Sequence, residues 1–175
     1  MHTSVQRKWR VFYTRARAEK KCEQRLVQRR VEVYLPTHKV VRQWKDRKKK
    51  VIEPLFRNYI FAHVDEQERL RVLKTPGIVR CVSFGGTPAE VDEGEIEQLK
   101  IAQKDPKRLR LVDFPLPGLG EVVTVTEGPL RGLCGEVLDH GSQCYVILRV
   151  TAIRQAVRVH VPAAWVRRDH SEHVA

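Results

Sequence analysis

The sequence predicts an α+β chain: an N-terminal antiparallel sheet covered by helices on one side, then a small all-β barrel. Three observations carry this prediction. Over the first hundred residues, runs rich in aromatic and β-branched residues, such as WRVFY (9–13) and NYIFAHV (58–64), alternate with helical repeats. From Lys104 to Gly120, KDPKRLRLVDFPLPGLG holds three prolines, two glycines and no regular period. Beyond it, Val122, Thr124 and Thr126 alternate with Val123, Val125 and Glu127, the period of a half-buried strand. The expected division is therefore 6–103 for the sheet-and-helix domain, 104–117 for a linker and 118–168 for the barrel.

Trp9 to Tyr13 reads as the first strand. Residues 17–30 follow as a helix, with Ala18, Cys22 and Leu26 four apart on one face and Lys20, Lys21, Arg25 and Arg29 exposed. Val31 to Leu35 is a short strand closed by Pro36. THKVVRQWKDRKKKVIEP (37–54) places two β-prone runs around a charged centre, so we expect a long hairpin with its tip, Lys45 to Lys50, in solvent. Asn58 to Val64 is the most strand-like segment of this half. Glu66 to Lys74 predicts a short helix with Leu70 and Leu73 inward, ended by Thr75-Pro76-Gly77. Ile78 to Phe84 reads as a strand closed by Gly85-Gly86. Asp92 followed by Glu95 has the spacing of a capping box, opening a helix with Ile96 and Leu99 toward the core.

In the C-terminal third, Gly128-Pro129 forces a turn after the Val122 strand. Gly132 and Gly135 allow a second bend into Glu136-Val137-Leu138. Cys144 to Val150, Ala156 to Val161 and Trp165-Val166 supply further short strands.

The chain of 175 residues has a formal charge of +12, unevenly spread. Residues 1–60 hold 18 Lys and Arg against five Asp and Glu, whereas residues 121–175 hold six of each. A polyanion partner, most simply nucleic acid, is expected for the N-terminal part, the alternative being a solvated basic face. Cys22, Cys81, Cys134 and Cys144 form no Cys-x-x-Cys pair, and the seven histidines do not join them at zinc-ligand spacing, so neither metal nor cofactor is expected. No apolar run has membrane-spanning length, and MHTSVQRKWRVFY lacks a signal-peptide core; a cytoplasmic protein without membrane contact is expected. No Ser/His/Asp triad, phosphate-cradling loop or paired acid site is evident, so the chain reads as non-enzymatic.

The spacing of Gly128, Gly132 and Gly135 resembles the KOW motif of transcription elongation factors and ribosomal proteins. With WRVFYTRARAEKKCEQRL (9–26), PLFRNYIF (54–61) and VLKTPGIVRCVSFGG (72–86) before it, in order, the whole resembles the NusG family of bacterial transcription elongation factors. YLPTHKVVRQWKDRKKK and PLFRNYIF are more similar to the specialised RfaH-like and UpxY-like antiterminators than to the housekeeping factor. In the aromatic block the housekeeping factor has Pro-Gly and the specialised paralogues Pro-Asn; Arg57 departs from both. No copy of the polar loop with which RfaH touches the non-template strand is present.

The resemblance implies an NGN-like N-terminal domain that docks on the clamp helices of RNA polymerase, a tethered KOW barrel and a monomer. It places Tyr13, Phe56 and Tyr59 in the apolar pocket for the clamp helix, with Phe56→Ala expected to weaken polymerase binding in a folded domain. It sets Lys45, Arg47, Lys48, Lys49 and Lys50 near upstream or non-template DNA, where contacts neutralise phosphates. Trp44 beside them either stacks on an unpaired base or packs across the hairpin. The implied function is suppression of pausing and antitermination, with the KOW domain recruiting Rho or a ribosomal protein. Two other functions fit parts of the sequence: a housekeeping factor linked to Rho or the ribosome, and a ribosome-associated KOW protein that binds RNA. The neutral charge of residues 121–175 weighs against the last.

Overall fold

Val11 and Phe12 are both fully buried although neighbours on a strand face opposite sides, so both faces of the N-terminal sheet must be covered. In the computed structural model, which describes residues 6–112, 119–140 and 142–168 (His140 by its backbone alone), they are. β1 (Lys8–Thr14) lies inside the sheet. The helix α1 (Glu19–Gln28) and the strand β2 (Glu32–Tyr34) follow it. After a separate hairpin of β3 (Thr37–Gln43) and β4 (Lys48–Pro54) comes β5 (Tyr59–Val64). Then follow α2 (Glu66–Leu73), β6 (Ile78–Cys81), β7 (Ser83–Phe84), β8 (Thr87–Pro88), β9 (Glu90–Val91) and α3 (Glu93–Ala102). The antiparallel sheet has the order β2-β5-β1-β6, with β9 also pairing β1, while β7 and β8 form a small ribbon.

Phe12, Ile60 and Ala62 face α1 and α2, packing with Cys22, Leu26 and Val72. Val11 and Phe61 face the other way, packing with Leu55, Phe56 and the Ile96, Leu99 and Ala102 of α3. The α+β class is as expected, but the helices lie on both faces rather than one. The continuous apolar pairs Val11-Phe12 and Ile60-Phe61 are the signature of a doubly covered sheet.

Several elements differ from the sequence expectation for local reasons. α1 is shorter than 17–30 because Arg17 and Arg30 take left-handed backbone, φ 61 and 58. Beyond its end, Arg30 N–H bonds Val27 O at 2.9 Å and Val31 N–H bonds Leu26 O at 3.0 Å, a Schellman closure with Val31 packed near Leu26. In α2, Leu70 faces solvent and Val72 is the buried anchor. The Ile78–Phe84 run is split into β6 and β7. The reciprocal capping box belongs to Asp65 and Glu68, whereas Asp92 caps Gly94 N–H at 2.8 Å and Glu95 is drawn elsewhere.

The C-terminal residues form a six-stranded antiparallel sheet. Its strands are β10 (Leu109–Val112), β11 (Val122–Val125), β12 (Cys134–His140), β13 (Gln143–Val150), β14 (Gln155–Val161) and β15 (Val166–Arg168), in the order β10-β14-β13-β12-β11-β15. Val123, Val125, Leu133, Val146, Val157 and Val159 fill its core. The segment read as linker is structured in its first part. A 3-10 turn, Pro106–Arg108, leads into β10, which pairs β14 from Leu109↔Val159 to Val112↔Ala156. Residues 113–118 of that segment lie outside the described residues. Among the described residues no helix is long and apolar enough to cross a membrane, and no group of three His, Cys, Asp or Glu is placed to hold a metal.

Candidate functional site

The chain reverses between β4 and β5 through Phe56-Arg57-Asn58, and this turn sets the aromatic residues. Asn58 takes left-handed backbone, φ 67, which asparagine tolerates better than most residues. Its N–H donates to the buried Glu19 carboxylate at 2.8 Å, its Nδ2 donates to Thr14 O at 3.3 Å, and its carbonyl accepts from Thr14 N–H at 2.8 Å. Arg57, at the position where the resembled family has proline, projects with 74% of its side chain exposed.

Tyr59 leaves this turn directly opposite Tyr13 on β1. Their rings meet edge to face at 5.5 Å, and the Arg80 guanidinium lies 5.4 Å from the Tyr13 ring. Both tyrosines are half-buried, so the pair offers an apolar surface with a cationic rim. Phe56 differs: at 1% exposure it is a core residue, its ring edge-to-face with Phe61 at 6.1 Å. Tyr13 and Tyr59 thus share one accessible patch, and Phe56 packs in the interior beside it.

The basic residues lie on the β3–β4 hairpin, where residues 41–50 are all exposed. The turn is Trp44 to Arg47, closed by Trp44 N–H to Arg47 O at 2.9 Å. Lys48, Lys49 and Lys50 are therefore not tip residues but belong to β4, opposite Gln43, Arg42 and Val41. Lys45 and Arg47 do sit in the turn. Trp44 is 60% exposed and lies under the Lys49 ammonium at 5.8 Å, so it does not pack into the hairpin interior. Nearer the base, Arg42 grips Glu53 through two hydrogen bonds of 2.8 and 2.9 Å. That bond holds the Glu53 carboxyl below the usual range, while burial lowers His38.

The three glycines of the KOW-like segment have separate geometric duties. Gly128 and Gly132 have φ 72 and 91 in the connection from β11 to β12, and a Cβ on Gly128 would meet the Trp165 ring at 2.6 Å. Gly135 lies within β12, where a Cβ would sit 2.5 Å from Ile147 O of β13. They shape the hairpin, and Gly135 also borders a cleft of about 360 Å³ lined by Glu95 and Gln98 of α3 and by residues of β12 and β13.

One contact surface was not foreseen from sequence. α3 packs its outer side on the C-terminal sheet: Cys134 N–H donates to Gln98 Oε1 at 2.7 Å, and Thr151 Oγ1 donates to Glu95 Oε1 at 2.8 Å. Buried side chains run as one cluster from Val11 and Leu99 to Val123 and Val159. Glu95 and Gln98 carry no signal for this, since both read as ordinary solvated helix positions.

Known proteins share this sequence pattern and this fold. Residues 7–100 match the family model described as "Transcription termination factor nusG". "Transcription termination/antitermination protein NusG" of Rickettsia bellii (strain RML369-C) is 25% identical over 142 residues, 75% of this chain and 73% of that protein. A solved structure titled "Domain interaction in Thermotoga maritima NusG" shares the fold with a TM-score of 0.51 at 20% identity, covering 93% of this chain and 97% of the other.

Proposed function

The chain belongs to the NusG family, and from that premise we propose that it is a specialised antiterminator that docks on the RNA polymerase clamp helices through Tyr13 and Tyr59. The family consists of transcription factors, not enzymes, that bind RNA polymerase, and a role in transcription elongation and termination follows for this member. The observation that carries the finer reading is the half-buried Tyr13–Tyr59 pair, rimmed by Arg80 and lying beside a strongly basic hairpin. Aromatic side chains of this kind bury large area against an apolar helix and act as hot spots. Phe56 supports the patch from the core. Lys45, Arg47, Lys48, Lys49 and Lys50 lie on the element that reaches toward upstream or non-template DNA. By preferring the closed clamp, the bound factor shifts polymerase away from paused states.

The test is capture of core RNA polymerase by the purified protein. Replacing Tyr13 and Tyr59 together by Ala weakens binding at least tenfold, on the order of 2 kcal/mol or more for truncated interface aromatics, while circular dichroism remains that of the parent. Undiminished capture by a folded double variant rejects the docking assignment.

A second reading, the housekeeping factor, is favoured by the name of the Rickettsia relative, which covers termination as well as antitermination. In it the neutral C-terminal sheet recruits Rho or a ribosomal protein. Stimulation of Rho-dependent termination by the purified chain selects this reading; readthrough without it selects the first.

A further inference from the structure

Residues 121–175 balance their charges in number, yet strand alternation sorts the charges of the C-terminal sheet by face. The sheet also includes β10, which that balance omits, and β10 places Arg110 directly opposite Arg158 of β14. Leu109 and Val159, one residue along, are fully buried, so the two arginines stand on the sheet's other face. Ile147 of β13 continues their row, and the cross-strand pair Tyr145 and His160 forms the next.

Like charges directly opposite each other on neighbouring strands repel and weaken the pairing. A carboxylate between them would relieve this, but among the described residues neither arginine has an acid as partner. Glu136, beyond Ile147 in the same row, is taken by an ion pair with Arg149. Glu121 and Asp139 both pair with Arg168 of β15. Arg110 is exposed, and only its Nη1 is used, donating to Leu109 O at 2.7 Å and Lys107 O at 3.1 Å. The Arg158 guanidinium lies 5.0 Å from the Tyr145 ring, and its Nε is buried without a hydrogen-bond partner. The sheet therefore carries a pair of cations that costs stability and that nothing in the chain neutralises, an arrangement that belongs to functional sites.

We propose that Arg110 and Arg158 form a phosphate-binding site on the outer face of the C-terminal sheet, for the phosphates of an RNA strand or of a free nucleotide. Two guanidinium groups side by side offer several N–H donors and two positive charges. A phosphate, with its multiple acceptor oxygens and greater charge, answers them more fully than a single carboxylate does. The site lies apart from the basic hairpin and needs neither the hairpin nor the clamp-docking reading.

The experiment is an NMR titration of the isotopically labelled full-length protein with inorganic pyrophosphate, a short oligouridylate and, as a carboxylate control, oligoglutamate. The Arg158 Nε–H and Tyr145 ring resonances should shift and saturate with the phosphate probes. A lower midpoint for oligouridylate assigns the site to a strand; a lower midpoint for pyrophosphate assigns it to a free nucleotide. Arg110→Glu supplies the missing carboxylate opposite Arg158. It should raise the thermal midpoint by about 2 °C, because an attractive pair replaces a repulsive one. The same change should weaken the phosphate-dependent shifts about tenfold or more. Arg158→Lys, which keeps the charge but loses the fork, should also weaken them. Arg131→Gln, an exposed cation in the β11–β12 connection, should leave them unchanged. Absent shifts at Arg158 and Tyr145, or unaltered shifts in Arg110→Glu, overturn the site. Equal weakening by Arg131→Gln overturns it in favour of diffuse positive charge. Tighter binding of oligoglutamate than of either phosphate probe overturns it in favour of an acidic protein partner. A lower thermal midpoint in Arg110→Glu shows that the arginine pair is already compensated, and overturns it too. Polymerase takes no part in this assay, so its failure leaves the Tyr13–Tyr59 docking test standing.

Discussion

Phe56 illustrates how one side chain can belong to a docking block in sequence and to the core in space. Its 1% exposure and its contact with Phe61 make Phe56→Ala a core truncation. Such changes cost about 3–5 kcal/mol, so the thermal midpoint should fall by roughly 10 °C at 2–4 °C per kcal/mol for a chain of this size. A small change in midpoint would show that the surroundings collapse into the vacated space. The variant is consequently a poor probe of polymerase docking, a task left to Tyr13 and Tyr59. Gly135 obeys a similar logic on a smaller scale. A methyl group 2.5 Å from Ile147 O cannot be accommodated without displacing β12 from β13, so Gly135→Ala should lower the melting temperature of the C-terminal sheet. Amide exchange at Glu136 and Ile147, paired across these strands, locates the damage; undisturbed protection there rules it out. The need for glycine was legible in the sequence. The reason at Gly135, close backbone approach rather than a bend, was not, because it depends on which strand lies opposite.

At the scale of elements, the β3–β4 hairpin is predicted to loosen in acid in two steps. Burial depresses His38 below its ordinary value of 6.5, so the unfolded chain takes up its proton first as pH falls. That contribution is complete above pH 6.5 and is lost as pH drops toward the folded value. Glu53 is lowered from 4.5 by its hydrogen bond from Arg42, so its contribution is present above pH 4.5 and lost on acidification through its folded value. Protection factors of the hairpin amides, that is, the intrinsic exchange rate at each pH divided by the observed one, followed from pH 7.5 to 3.5, should fall in both windows. His38→Gln should remove the upper step only, and a profile that is flat below pH 6.5 would falsify the coupling. Most elements were readable because their periods are strong, as in WRVFY and the Ala18-Cys22-Leu26 stripe. Errors arose where two solutions share one local pattern. Asp65-x-x-Glu68 and Asp92-x-x-Glu95 have identical spacing, yet only Glu68 turns back to its cap, with Arg7 beside it; Glu95 finds Thr151 instead. The basic hairpin was legible as a run of charge, but its division into faces needed the register.

For the whole molecule, the decisive arrangement is the packing of α3 on the C-terminal sheet, which no local pattern announces. Composition and the proline-rich break point to separate halves, but hydrogen bonds from Cys134 and Thr151 and a shared apolar cluster join them. Arg108 bonds Asp105 at 2.8 Å and lies 5.4 Å from the Trp165 ring, and Arg110 lies in β10, so these sites are poor protease substrates. Brief trypsin treatment should cleave first in the exposed Lys45–Arg47 turn, with Arg108 and Arg110 protected, as read by mass spectrometry of the first fragments. Glu95→Ala combined with Gln98→Ala removes interactions worth about 1 kcal/mol each and should expose the later sites. Early cutting at Arg108 in the parent chain would show that the halves separate freely. The strand β10 carries a further implication for dissecting the protein. Because it covers the edge of β14, a fragment starting after residue 112 would bare the backbone donors and acceptors opposite Val157 and Val159 and become sticky. Supplied in trans, a fragment ending at residue 112 should restore the missing edge, turning two separately made pieces into a complementation pair whose reassembly reports on the joint between them.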